Sequence, residues 1–244
     1  MKSEFGESIK QKIIDFLYPA NVRCPVCERL LFAKDEYVCH LCVNKFRFAA
    51  ADKCAICGAA LTEGLEVCAE CRENKFAFAH AFSLVEYNEI SGSIVAEFKY
   101  HNNKAIAESC GEHMYQEFIK RNPNFDFDII TCVPSKKESF EKRGYNQAAV
   151  IASAFANMAK LPVYCDLLVV VGEPLDQIGL NYDQRKENVK DCFAVTEPGI
   201  GSGKNVLIID DVVTTGSTLS ECAKMIMKSN ALSVSFATYA TAVR

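Results

Sequence analysis

Eight cysteines fall in four Cys-x-x-Cys pairs: Cys24/Cys27, Cys39/Cys42, Cys54/Cys57 and Cys68/Cys71. Two such turns facing each other supply the four thiolates that tetrahedral zinc takes. Overlaying the first two pairs on the last two reveals a repeat. Cys24 lies over Cys54, and Asn44-Lys45-Phe46-Arg47-Phe48 over Asn74-Lys75-Phe76-Ala77-Phe78, at an offset of 30 residues that slips to 29 between Cys39 and Cys68. The repeat predicts two successive ribbons with one zinc each, in preference to a crossed pairing. Units of roughly 50 residues bury too little apolar surface to fold unaided, so metal binding would supply their folding energy. Zinc held by four thiolates has no open position, which suits a scaffold or a partner surface better than a catalytic centre. Redox chemistry would place one pair at a helix start, not four in a repeated frame. His40 lies between two ligands and is spare beside a full cysteine set. Phe46, Phe48, Phe76 and Phe78 suit either base stacking on a single strand or the ribbon core. The other five cysteines (Cys110, Cys132, Cys165, Cys192 and Cys222) stand singly and are expected to be buried, inert thiols.

A second constellation is Val206-Leu-Ile-Ile-Asp210-Asp211-Val-Val-Thr214-Thr215-Gly216-Ser217-Thr218. A buried strand delivers two adjacent carboxylates, and a loop of small residues opens directly into a helix. Backbone N–H groups at that helix start, with the hydroxyls of Thr214, Thr215, Ser217 and Thr218, make an anion site. Carboxylates beside it would repel a bare phosphate. They suit a ligand that offers hydroxyls or bound Mg²⁺ next to its phosphate, as a 5-phosphorylated ribose does. An ordinary capped helix is the plainer alternative, and it leaves both aspartates unexplained. Gly201-Ser-Gly203-Lys204 is no nucleotide-binding loop, because Pro198 and Asn205 break the pattern and the segment precedes a strand.

Lys136, Lys137, Lys142 and Arg143 place four cations within eight residues, ahead of Gly144. Such a loop either closes over and neutralises a leaving diphosphate or is merely a solvated charged loop. Glu138 and Glu141 reduce its net charge.

Strands are expected at Phe82–Tyr87, Phe127–Val133, Leu167–Val171, Val206–Ile209 and Ser233–Tyr239. Helices are expected at Ile90–Lys99, Lys104–Lys120, Asn146–Met158 and Ser217–Lys228. This alternation predicts an α/β fold, a mostly parallel sheet flanked by helices, with its ligand beyond the C-terminal strand ends. The expected organisation is an N-terminal helix (1–20), a double zinc ribbon (21–79) and the α/β domain (80–244). No apolar stretch approaches the ~20 residues of a spanning helix, and charged residues precede any apolar cluster at the N-terminus, so a cytoplasmic protein without membrane insertion is expected. A net charge of −4 without a cationic tail argues against general electrostatic binding of duplex DNA.

The Asp210–Thr218 segment resembles the motif by which type I phosphoribosyltransferases bind phosphoribosyl pyrophosphate (PRPP): four apolar residues, two acids, two apolar residues, then Thr-Thr-Gly-x-Thr. The resemblance implies that Asp210 and Asp211 hold the ribose 2′- and 3′-hydroxyls and that Thr214 to Thr218, with Gly216, cradle the 5′-phosphate. Three more stretches narrow it to the ComF (competence/GntX-like) family. Val133-Pro134-Ser135-Lys136 stands where that family has its pyrophosphate loop. The basic segment ends in Arg143-Gly144-Tyr145-Asn146-Gln147, and Gln177 is followed by Leu180, Arg185 and Asn188. An arginine expected before Gln177 is absent, and Val169 to Gly172 stands there.

By resemblance, two structural Zn²⁺ ions and Mg²⁺ with PRPP are the implied cofactors. Lys136, Lys137, Lys142 and Arg143 would stabilise departing pyrophosphate. Thr214 sits where some purine-salvage relatives carry a catalytic aspartate, so no acceptor base is evident in this loop. Amidotransferase relatives use an N-terminal cysteine, and the chain reads Met1-Lys2-Ser3. Two functions follow. One is a PRPP-binding factor in DNA uptake whose partner is single-stranded DNA or a competence helicase. The other is a phosphoribosyltransferase with an unidentified acceptor.

Overall fold

The computed structural model describes residues 23–31, 37–49, 54, 72, 78–124, 126–172, 189–214 and 216–242. The expected N-terminal helix, Cys57, Cys68, Cys71, Phe76, Thr215 and the Gln177–Asn188 stretch lie outside the described residues.

Helix α1 (His40–Val43) belongs to the first cysteine unit, and β1 (Ala81–Tyr87) opens the sheet. Next come α2 (Glu89–Tyr100), α3 (Lys104–Arg121), β2 (Ile129–Cys132), α4 (Lys137–Arg143) and α5 (Gln147–Ala159). A short β3 (Leu168–Val170) and β4 (Phe193–Val195) precede α6 (Pro198–Gly201), β5 (Asn205–Val213), α7 (Ser217–Lys228) and β6 (Ser233–Ala242). Four strands form one wholly parallel sheet in the order β1-β6-β5-β2.

Alternation along β5 divides the core. Leu207 and Ile209 face a cluster with Ile106, Met114, Ile151 and Phe155 of α3 and α5, while Val206 and Ile208 face Leu219, Cys222 and Ile226 of α7. Both faces are therefore covered, as a parallel sheet requires. Helices α3 and α5 approach closely at Gly111, where an added Cβ would lie 2.4 Å from the Ile151 carbonyl oxygen.

Two expectations need correcting. The apolar run Leu167–Val171 suits the parallel sheet, but β3 pairs antiparallel with β4 in a separate two-stranded sheet. Those strands supply only three residues each and sit against the α7 face. Strand β5 also does not stop at Ile209. It continues through both aspartates because β6 extends beside it, pairing Asp210 with Thr238 and Val213 with Thr241.

The first cysteine unit joins the same core. The chain at 47–49 runs antiparallel along the outer edge of β1: Glu86 N–H donates to the Arg47 carbonyl (2.8 Å) and Ala49 N–H to that of Leu84 (3.2 Å). An exposed strand edge is thereby blocked. Tyr37 and His113 Nδ1 share a hydrogen bond of 2.8 Å, and Phe46 packs beside the His113 ring. Phe46 and Phe78 are buried, the latter edge-on to Phe236 at 4.4 Å. Neither offers a stacking surface: Phe46 packs in the core that includes the first cysteine unit, whereas Phe78 packs on the α/β sheet and not in a ribbon core. The half-exposed Phe48 lies under the Arg121 guanidinium.

Two consequences are measurable. Chelating zinc should lower the melting temperature of the whole protein in one transition, because Cys24, Cys39 and Cys42 share a core with α3 and β1. A separate low-temperature transition in calorimetry would show that the ribbon melts alone. Gly111→Ala should cost about 1–3 kcal/mol by overpacking the α3–α5 contact, read from urea midpoints.

Candidate metal centre and ribose-phosphate site

Cys24 begins a tight turn in which its N–H donates to the Arg29 carbonyl and Glu28 N–H donates back to Cys24, both at 2.8 Å. Cys39 caps α1 and Cys42 lies within that helix. The four sulfurs of Cys24, Cys27, Cys39 and Cys42 lie within 4.8 Å of one another, with Cys27 and Cys39 3.6 Å apart. Tetrahedral Zn–S bonds of about 2.3 Å put neighbouring sulfurs about 3.8 Å apart, so this donor set fits zinc. The first two pairs thus combine in sequence, as the repeat predicts. His40 is exposed and stands outside the cluster. Cys54 is buried against the other face of the sheet, in the cluster that holds Phe78.

The second constellation assembles at the C-terminal ends of β5 and β2. Successive residues of a strand point to opposite faces, and the two aspartates part accordingly. Asp211 is buried on the α2–α5 side, where Lys99 Nζ lies 3.1 Å from Oδ1 and Gln147 Nε2 donates to Oδ2 at 2.8 Å. Arg143 donates in turn to Gln147 Oε1. Asp210 keeps some exposure, and its Oδ1 accepts the N–H of Asp211 at 2.8 Å. Gly216 has φ +72° and caps α7, a left-handed geometry that favours glycine, so α7 starts a few residues after the end of β5. Ser217 is buried, while Thr214 and Thr218 are partly exposed.

One cleft is lined by Lys99, Thr214 and the run Pro134, Ser135, Lys136 and Lys137, with Lys142 and Arg143. All four predicted cations therefore face the same space. Lys137, Lys142 and Arg143 are carried on a helix and Lys136 is its N-cap, in place of the expected loop. Glu138 in the first turn and Lys142 and Arg143 in the last suit the helix dipole, and Gly144, at φ +75°, ends it. Lys137 and Lys142 are solvent-exposed, whereas Arg143 turns toward Gln147. Val169 to Gly172, at the position of the expected arginine, also line this cleft.

Lys99 escaped the sequence reading. It ends a predicted helix, and nothing local ties it to Asp211. Its neighbours fix it: Phe98 is fully buried and its carbonyl accepts the Tyr145 hydroxyl at 2.6 Å. Asn88 and Ser91 close a reciprocal cap at the other end of α2.

The acidic pair also bears on Mg²⁺. Both oxygens of Asp211 and one of Asp210 are engaged, and an ammonium already sits beside them. A divalent ion bound directly by the pair would stand beside the Lys99 ammonium and be repelled by it, so these residues are a poor fit for a directly held Mg²⁺.

Of the five lone cysteines, Cys110, Cys132, Cys192 and Cys222 are buried and Cys165 is partly exposed. The Cys132 and Cys222 thiols are both pushed well above their ordinary range, Cys132 chiefly by its hydrogen bond with Cys165 and Cys222 chiefly by burial, with the Asp210 charge adding to both.

Loss of hydration, then the neighbouring Asp211 charge, push the Asp210 carboxyl up to about 8, against the pull of the Asp211 N–H and Lys99. A carboxyl raised above its unfolded value favours the folded state at low pH, and that contribution is lost as pH rises through about 8. The melting temperature of Asp210→Asn should therefore gain on that of the parent from pH 4 to about 8 and run parallel above it, measured by calorimetry.

Comparison with known proteins agrees with both halves. Residues 13–72 match the double zinc ribbon domain and residues 99–242 the phosphoribosyl transferase domain. The chain is similar to competence protein ComFC of Bacillus subtilis, with 26% identity over 96% of this chain and 97% of the relative. Competence protein F of Haemophilus influenzae is 25% identical over 85% of this chain and 92% of its own length. DNA utilization protein YhgH of Salmonella typhimurium is 25% identical over 86% and 93%. With more than half its length matched by that domain, and with the double zinc ribbon in front as in a ComF-type protein, the chain belongs to the phosphoribosyl transferase domain family.

Proposed function

We propose that the cleft binds PRPP and that the protein acts in DNA uptake as a ComF-like, PRPP-binding factor. The observation that supports the ligand is that three unlike groups meet at the C-terminal ends of β5 and β2, where Thr214 and the four cations line one cleft and Lys99 joins that cleft to Asp211. An acidic pair suits a ribose diol, a glycine-opened helix start suits the 5′-phosphate, and four cations on α4 and its N-cap suit a diphosphate. Asp211 would accept hydroxyl protons from the ribose, its carboxylate aimed by Lys99 and Gln147. Lys136, Lys137, Lys142 and Arg143 would neutralise the diphosphate, and Thr214, Thr215, Ser217 and Thr218 would hold the phosphate. Pro134 and Ser135 would border the diphosphate. Mg²⁺ would arrive on the oxygens of PRPP.

Zinc would act structurally, holding the ribbon that blocks the β1 edge. The names of the relatives, competence and DNA utilization proteins, support the role in uptake. Single-stranded DNA or a helicase is the corresponding partner. Its contact surface would lie away from Phe46 and Phe78, which the core occupies. A cytoplasmic site of action accords with this reading. No described helix is long and apolar enough to cross a membrane. The alternative, transfer of the phosphoribosyl group to an acceptor, draws support from the family itself. It needs an acceptor that requires no base at Thr214.

Calorimetric titration of PRPP with Mg²⁺ into the zinc-loaded protein should show saturable binding, lost in a folded Asp210→Asn/Asp211→Asn variant. No heat from a folded, zinc-loaded parent would overturn the proposal. Release of pyrophosphate on adding candidate acceptors would favour the transfer reading.

A further inference from the structure

We propose that Lys99 is the built-in counter-ion of the Asp210–Asp211 pair, so that the pair receives a ribose diol without a directly bound divalent cation. The inference rests on the ribose-phosphate reading above and deepens it by naming a positioning residue and the metal requirement of one subsite.

Adjacent carboxylates at a buried strand end repel one another and normally call for a cation. Here the cation is already part of the chain. Lys99 Nζ is 3.1 Å from Asp211 Oδ1, and its side chain is three-quarters shielded, at 24% exposure beside 5% for Asp211. Burial alone would lower the Lys99 ammonium, but Asp211 and then Asp210 more than offset this and hold it above the usual lysine range. The charges of the two acids and the lysine sum to at most −1, too little to strip water from Mg²⁺, which sheds it reluctantly.

The lysine cannot drift away from the pair easily. Its helix is capped by Asn88 at one end and tied at Phe98 to the Tyr145 hydroxyl at the other. Gln147 fixes the second oxygen of Asp211, so the carboxylate plane is set from two sides. A carboxylate offers about four lone-pair positions, so hydroxyls can still be accepted beside these partners. Lys99 also lines the cleft with Thr214 and the α4 cations, so the residue that pairs with Asp211 is itself open to a ligand there. Metal carried by PRPP then belongs to the diphosphate end, on the ligand's own oxygens.

Ribose 5-phosphate is the informative probe, because it has the diol and the 5′-phosphate but no diphosphate. It is titrated calorimetrically into the full zinc-loaded chain, in chelator-free buffer with and without Mg²⁺, for the parent, Lys99→Met and Lys99→Arg. The parent should bind equally in both buffers. Lys99→Met should lose about tenfold or more without Mg²⁺ and recover part of it when Mg²⁺ is added. Lys99→Arg should keep most of the affinity, a rescue that a mere packing role would not give. Paramagnetic resonance of added Mn²⁺ should show a bound ion in Lys99→Met that is absent from the parent and from Lys99→Met combined with Asp210→Asn/Asp211→Asn.

A parent whose ribose 5-phosphate binding requires Mg²⁺ would overturn the proposal, as would Lys99→Met binding as tightly as the parent without it. Either result would leave the ribose-phosphate site itself standing. A parent that binds neither ribose 5-phosphate nor PRPP would instead bring down the site and the proposal together. If Lys99→Met fails to fold, Lys99→Gln and the Mg²⁺ independence of the parent decide the matter.

Discussion

Two carboxylates side by side at the end of a buried parallel strand form an unstable arrangement until something offsets their charge. In this protein the offset comes from Lys99, at the end of α2, with Gln147 of α5 completing the shell around Asp211. Much of the surrounding architecture serves that contact. The β5–β6 pairing carries the strand past Ile209 to present the acids, and α2 is fixed at both ends so that its last turn brings the ammonium into place. Close approach of α3 and α5, permitted by Gly111, sets where Gln147 begins its helix.

The cysteine unit is coupled to this framework through packing. Its chain lies along the outer edge of β1, and Tyr37 reaches His113 in the middle of α3. Tyr239 is buried within the same core, on the strand next to the one that carries the aspartates. Its hydroxyl is the one buried side-chain polar atom without a hydrogen-bond partner among the described residues. Zinc at the first unit therefore contributes to the same core that supports the acidic pair. Four thiolate ligands leave that zinc no chemistry beyond holding shape.

The cations are divided in function by where α4 puts them. Lys137 and Lys142 are exposed to solvent, Lys137 within 3.9 Å of Glu141, while Arg143 is turned inward to Gln147. A basic segment that looked uniform thus has an outer part and an inner part. The inner arginine is connected to the acidic pair through a single glutamine, since Gln147 touches Asp211 with its other terminus.

What the sequence determined by itself was chemistry whose members are close along the chain. The cysteine pairs, the two aspartates and the small-residue loop each lie within a few residues, so spacing was enough to name the ligand types. The parallel fold was legible for the same reason, since apolar strands and amphipathic helices alternate in short, well-marked segments. Tertiary structure alone decided the rest. Lys99 reads as an ordinary helix-terminal lysine, and Asp211 lies 64 positions beyond even its glutamine partner. Leu168–Val170 has the apolar character of a sheet strand, yet it pairs elsewhere because the edge position beside β5 is taken by β2. Phe46 and Phe78 look equally suited to surface or core along the sequence, and only their tertiary partners, His113 and Phe236, decide for the core. In each case the deciding factor was a partner brought in from a distant part of the chain, and residue spacing carries no record of such encounters.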